Sequence, residues 1–168
     1  LADLPRENVR EALAKLRRLG VSNLIMLTGD NKRVARLIGE AVGIDEIRPE
    51  LLPEQKVDAV RELVSKYRSV GMVGDGVNDA PAMVASEVGI AMGAGGTAVA
   101  METADVALMA DDLGQLPVAV RLSRFVRRLI RENVLLSFGV KAVFLLLALF
   151  GLTSLWVAIL ADVGMAML

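Results

Sequence analysis

Two glycines, two aspartates and an asparagine fall within the six residues Gly74-Asp75-Gly76-Val77-Asn78-Asp79. Small and apolar residues precede them, Gly71-Met72-Val73, as the end of a buried strand should. Ala80-Pro81 follow as the start of a short helix. A strand that ends in such a loop is the usual place for ligand chemistry in an open α/β sheet. Asp75 and Asp79 are near enough in sequence to share one hard cation. Gly74 and Gly76 remove side chains so that a phosphate and a Mg²⁺ ion can approach the backbone, and Asn78 can donate or accept without adding charge. A turn that only holds itself together accounts poorly for this combination.

Two more groups complete a chemical set. Thr28-Gly29-Asp30 follows the apolar run Leu24-Ile25-Met26-Leu27, and Lys56 lies on a helix opened by Pro53 and Glu54. In a parallel sheet the strand C-termini face one edge, so loops after them share a crevice. Phosphoryl transfer needs a nucleophile, a metal, and positive or donor groups around the transferred oxygens. Thr28 offers a hydroxyl, Gly29 a bare backbone amide, Lys56 a compact cation, and Asp75 with Asp79 a Mg²⁺ seat.

The elements that must position these residues alternate. Val9, Ala12, Leu13, Leu16 and Leu19 recur at helical spacing after Pro5, and Gly20 is a natural stop. Val34, Leu37, Ile38, Ala41 and Val42 form a second amphipathic helix closed by Gly43, and Glu46-Ile47-Arg48 is a short strand. Val57, Val60, Leu63 and Val64 make the apolar face of the helix that carries Lys56. Val88-Gly89-Ile90-Ala91-Met92 is another strand, a short helix runs through Glu102, and Val106-Ala107-Leu108-Met109 is the last strand. Alternating β and α elements with short apolar strands predict an α/β fold with a mostly parallel sheet covered on both faces.

The 168 residues carry 54% hydrophobic and 23% charged residues, with a mean hydropathy of +0.52. That apolarity at ordinary charge content predicts two parts in different solvents. After Asn133 the only ionisable side chains are Lys141 and Asp162. Arg121, Arg124, Arg127, Arg128 and Arg131 decorate a helix that runs into this apolar region, and Gly151-Leu152-Thr153-Ser154 is a turn. Each apolar run approaches the roughly 20 residues that cross a bilayer, so a two-helix transmembrane hairpin is expected, its second helix cut short. The arginines place its start on the cytosolic side. Lys141 lies about ten residues before the turn and Asp162 about nine after it, so both sit roughly 14 Å from the outer face and can pair. A charge at that depth costs about 2.5–3.5 kcal/mol, which makes the pair a functional candidate rather than mere helix glue. A net charge of −1 gives no case for nucleic acid, and the absence of Cys and His excludes thiolate and imidazole metal sites within this chain. The chain begins without Met and stops inside an apolar run, so a piece of a longer protein is expected.

The run at Asp75 resembles the Gly-Asp-Gly-x-Asn-Asp signature of P-type ATPases, cation pumps built on the haloacid-dehalogenase fold. With Thr28-Gly29-Asp30 and Lys56 in the same order, the resemblance covers essentially the whole chain. It implies a haloacid-dehalogenase-like, Rossmannoid parallel sheet over residues 1–116, part of a phosphorylation domain, then an arginine-rich linker helix and two transmembrane helices over 117–168. It implies that Thr28, Gly29 and Asp30 contact phosphate and nucleotide and that Lys56 neutralises the phosphoryl group. Asp75 binds Mg²⁺, with Asn78 and Asp79 completing that network and ATP as substrate. Lys141 followed by Asp162-Val163-Gly164 is similar to the zinc/cadmium/lead-exporting branch, where the carboxylate binds the transported divalent cation and the lysine replaces it. The implied partners are the metal ion, the lipid bilayer and upstream domains of the same pump, in a bacterial inner membrane with the α/β domain cytosolic. Ala98 departs from the family's usual Asp after Gly-Thr without touching an assigned role.

A copper pump is the nearest alternative. Met165 and Met167 are soft ligands, but the charged pair and the missing Met-x-x-Ser pattern argue against it. A soluble haloacid-dehalogenase phosphatase with a hydrophobic tail explains Thr28, Lys56 and Asp75 but not the paired charges, and detergent partitioning separates it. A non-catalytic relic that binds Mg²⁺ and membrane remains a third. The family's nucleophile is an aspartate in an Asp-Lys-Thr-Gly-Thr run, which this sequence does not contain. The isolated chain is therefore expected to show no steady ATP turnover, and turnover by the purified chain would refute the assignment of the nucleophile to an upstream segment.

Overall fold

A computed structural model describes residues 7–75, 78–93, 103–109, 112–151 and 164. The chain divides into two compact units, Leu1–Val120 and Arg121–Leu168. In the first unit the described elements are α1 (Glu7–Arg18), β1 (Ile25–Leu27), α2 (Lys32–Val42), β2 (Glu46–Arg48), α3 (Pro53–Lys66), β3 (Gly71–Gly74), α4 (Ala80–Val84), β4 (Val88–Met92) and β5 (Val106–Leu108). A long helix, α5 (Gln115–Leu149), begins in this unit and makes up most of what is described of the second.

Every described strand pairing is parallel, in keeping with the expected α/β fold. β1 pairs β2 with Met26 opposite Ile47. β3 pairs β4 with Val73 opposite Ile90, and β4 pairs β5 with Ala91 opposite Ala107. The described ladders are thus β1-β2 and β3-β4-β5, and β1 and β3 each have one described neighbour. Apolar packing nevertheless joins the two. Leu24, Leu13, Leu16 and Val42 cluster with Ile90 and Leu108. Leu27 packs against Val60, Met72 and Met83 in a second cluster. Strands of three to five residues bury too little alone, so the core is completed by side chains from helices, Leu13, Leu16, Val42, Val60 and Met83.

Helix ends follow the sequence closely. Gly20 and Gly43 both take φ +85°, where a side chain would be strained. After α1, Gly20 N–H bonds Arg17 O (2.8 Å) and Val21 N–H bonds Leu16 O (3.1 Å), the paired bonds of a Schellman stop. Asn31 caps α2, its side-chain oxygen accepting from Val34 N–H at 3.0 Å. Pro53 opens α3, and the Gln55 side chain accepts from Leu52 N–H at 2.8 Å. Leu52 has no side-chain acceptor, so only that half of a capping box forms. The expected helix through Glu102 lies outside the described residues.

Two ion pairs tie helices to strand ends. Arg48 of β2 reaches both oxygens of Glu62 on α3, at 2.8 and 3.0 Å, and Glu46 at 2.7 Å. Asp45 accepts from Arg17 at 2.7 Å and from Leu24 N–H at 2.8 Å, joining the end of α1 to the entry of β1. The Arg17 guanidinium, and after it the Leu24 amide, holds the Asp45 carboxyl below its ordinary pKa. A depressed folded-state pKa contributes stability above the unfolded value, near 3.9, and loses it as pH falls through the folded one. Urea denaturation is therefore expected to show stability flat above about pH 5 and declining below about pH 4, with part of that decline absent in Asp45→Asn. An unchanged acid slope in the variant would contradict this role.

Candidate phosphoryl-transfer site

The loop after β1 is built by its own polar groups. Thr28 Oγ1 donates to Asp30 Oδ2 at 3.0 Å and accepts from Asp30 N–H at 3.1 Å, a tight turn that Ser and Thr side chains favour. The second ladder strand continues into it: Thr28 N–H bonds Arg48 O (3.1 Å), Leu51 N–H bonds Thr28 O (3.0 Å), and Glu50 N–H bonds Asp30 O (2.9 Å). Gly29 lies under Leu51, whose carbonyl oxygen would stand 3.4 Å from a Cβ placed there. This segment turns at Glu50, the one described non-glycine residue with positive φ, +57°. That conformation costs a non-glycine residue about 1–2 kcal/mol. Nothing in the sequence marked Glu50, because a left-handed glutamate has no compositional signature.

The Thr28 loop leads directly to Lys56. Leu51 bonds Thr28, Leu52 stands just before α3, and Lys56 N–H bonds Leu52 O at 3.0 Å one turn later. The Lys56 ammonium then donates to Asp79 Oδ1 at 2.7 Å, with the two side chains 17% and 19% exposed. Asp79 stands at the start of α4 without capping it by a side-chain bond. The structure therefore brings Lys56 and Asp79 into contact across 23 residues of chain, and Thr28 and Asp30 into contact within their own turn. Asp75 and Asn78 are both exposed on the loop after β3. Gly76 lies outside the described residues.

Gly74 also makes room within the protein itself. A Cβ there would lie 2.8 Å from Asp79 Cβ and 3.1 Å from Asp79 Oδ2. The space over Gly74 thus admits the Asp79 side chain, and the sequence had shown the glycine but not this neighbour. Hard carboxylate and amide oxygens surround this loop, the donor chemistry Mg²⁺ takes. Among the described residues no group of three or more acidic, His or Cys side chains gathers to form a complete metal cage. Two carboxylates with the remaining positions left to water and phosphate is the usual Mg²⁺ arrangement at phosphate sites, so the donor set fits.

Lys141 lies on α5 and is exposed within its unit. Asp162, its expected partner, lies outside the described residues, as does the helix expected over 155–168. α5 is long and apolar enough to cross a membrane, and Leu135, Phe138 and Leu145 on it are each more than 60% exposed.

The sequence profile of haloacid dehalogenase-like hydrolases matches residues 1–86. The whole chain is 52% identical to a probable cadmium-transporting ATPase of Alkalihalophilus pseudofirmus, covering 23% of that protein. It is 50% identical to a cadmium-transporting ATPase of Staphylococcus aureus, again over 23% of its length. Among solved structures, a zinc-transporting PIB-type ATPase in its E2.Pi state superposes with a TM-score of 0.89 at 45% identity, covering 97% of this chain and 26% of that one. The chain spans about a quarter of the curated relatives it matches.

Replacing Gly74 by alanine is expected to push Asp79 off Lys56 and to destabilise the fold by about 1–3 kcal/mol, the usual penalty for overpacking. Denaturation together with the Lys56 ammonium NMR shift tests this. An alanine variant of unchanged stability and shift would show that Asp79 does not need the space.

Proposed function

This chain belongs to the haloacid dehalogenase-like hydrolase family, and from that membership we propose that it is the phosphorylation-domain end and first following membrane helices of an ATP-driven exporter of divalent heavy-metal cations. The observation that carries the proposal is the Lys56–Asp79 pair, which fastens the helix after the Thr28 loop to the loop after β3. Similarity along the full chain to cadmium- and zinc-transporting ATPases supports the choice of a pump over a soluble phosphatase.

Residues 1–116 form part of the phosphorylation domain and 117–168 the linker helix and hairpin. Thr28, Gly29 and Asp30 engage the phosphoryl group and nucleotide. Lys56 supplies positive charge to the transferred oxygens, and Asn78 adds an amide that can bond them without charge. Asp75 and Asp79 would hold Mg²⁺, which supplies neutralisation of phosphate charge when bound. Asp79 is then shared between the ion and Lys56, so the lysine's position depends on how that carboxylate is occupied.

The nucleophilic aspartate comes from upstream in the same protein. β1 and β3 share apolar clusters but have no described ladder between them. A strand supplied from outside this chain and paired between them would satisfy both edges and deliver its own C-terminal residue beside Thr28 and Asp75. In the bilayer, Asp162 binds the transported cation and Lys141 takes its place on release. The membrane is a bacterial inner membrane, crossed more than once, with the first unit in the cytosol.

Metal-stimulated ATP hydrolysis by the intact protein tests this directly. Zn²⁺ or Cd²⁺ is expected to stimulate turnover, and Asp162→Ala to abolish the stimulation. Stimulation by Cu⁺ alone, or a variant that still responds to Zn²⁺, would remove the transport role from Asp162.

A further inference from the structure

The second unit opens with an unusual distribution of charge. Residues 121–133 hold five arginines and one acid, Glu132, a net of four positive charges. All thirteen are helical within α5 and exposed. At about 100° per residue, Arg121, Arg124, Arg127, Arg128 and Arg131 fall within an arc of about 120°. Leu122, Phe125, Val126, Leu129 and Ile130 fall on the opposite side of the helix. Glu132 sits at the edge of the basic face and pairs with Arg128 at 2.7 Å.

A basic face on a helix that runs straight into an apolar span is a juxtamembrane polybasic segment, the pattern attracted to anionic headgroups. Its place in α5 adds the second argument. Apolar sequence starts at Val134 and carries a single ionisable group, Lys141, through the rest of the helix. With a rise of 1.5 Å per residue, Arg131, Arg128 and Arg127 stand about 5–10 Å outside that boundary, which is the depth of the headgroup layer. Arg124 lies about 15 Å out, within reach of its long side chain and of a Debye length. Positive-inside placement alone requires arginines near the membrane but not their gathering on one face.

We infer that the arginine face of residues 121–131 binds the headgroups of anionic phospholipids, so that the protein gathers these lipids around α5 where it leaves the bilayer. The inference rests on the proposal that α5 spans a membrane. Guanidinium groups suit this ligand because their planar donors bond phosphate oxygens in pairs. Charge complementarity selects the occupant: a zwitterionic surface offers the same phosphate but no net attraction.

The intact protein, reconstituted in nanodiscs, provides the test. Spin-labelled phosphatidylglycerol and phosphatidylcholine report the relative association of each lipid with the protein. The native protein is expected to prefer phosphatidylglycerol by about fivefold or more at low salt, on the order of what one or two basic residues near a surface provide. Raising salt to about 1 M should erode the preference by screening. The triple variant Arg124→Gln, Arg127→Gln, Arg131→Gln should fall to near parity, and the corresponding lysine triple should keep most of the preference. A glutamine triple with native preference would overturn the inference, including the case where the arginines dock on an acidic protein segment instead. Recovery of the intact protein in the aqueous phase, free of detergent and lipid, would instead overturn the spanning reading, and the inference with it.

Discussion

The contact between Lys56 and Asp79 is the constraint on which the rest of the site depends. It is a 2.7 Å charge-assisted bond between side chains mostly withdrawn from solvent. Such bonds contribute about 1.5–3 kcal/mol, and removing one partner strands the other charge at greater cost. The bond also has structural prerequisites on both sides. Lys56 is placed by the start of α3, which begins where Leu51 bonds the Thr28 carbonyl. Asp79 lies so close to Gly74 that a Cβ there would stand 2.8 Å from its own Cβ. A loop rich in acids would otherwise repel itself; here the Asp79 carboxylate is neutralised from across the fold by Lys56. That arrangement suits a site where a multivalent phosphate and its cation must enter and leave.

Much of this was legible in the sequence because local physics decided it. Gly20 and Gly43 stop helices through a backbone conformation that depends on their own residue type. The apolar spacing in α1 and α3 marked the faces that now carry Leu13, Leu16, Val60 and Leu63 into the core, whereas α2 buries Ala35, Gly39 and Val42 and leaves Leu37 and Ala41 of its expected face exposed. The strands were visible as short apolar runs, although only the middle of β4 is fully buried and β1 is half-buried along its length. The signature residues 74–79 and Lys56 stood out because acids, an amide and glycines at such density have few structural uses.

What was hidden depends on distant partners. Gly74 was visible as a glycine, but the occupant of its empty side was set by how far Asp79 folds back. Glu50 takes a left-handed conformation between two bonds, its own N–H to Asp30 O and Leu51 N–H to Thr28 O, and no spacing rule reports that. The pairing of Arg48 with Glu62 crosses from strand to helix and is equally silent in sequence. The division of the described strands into two ladders also escaped notice, because a strand edge is defined by its neighbours and not by its own residues. In the second unit the apolar length of α5 was plain, whereas the arginine arc emerges only when the helix is continuous through both regions.

The central claim is that the loops after β1 and β3 form one Mg²⁺-dependent phosphoryl-transfer site. Acid-stable phosphorylation of the intact protein by radiolabelled ATP, titrated with Mg²⁺, tests it most directly. The account predicts that labelling requires Mg²⁺, that Asp75→Asn raises the Mg²⁺ needed for half-maximal labelling by about tenfold or more, on the scale of losing one charged ligand contact, and that Lys56→Ala lowers the labelling maximum. Labelling with an unchanged Mg²⁺ requirement in Asp75→Asn and an unchanged maximum in Lys56→Ala would contradict it.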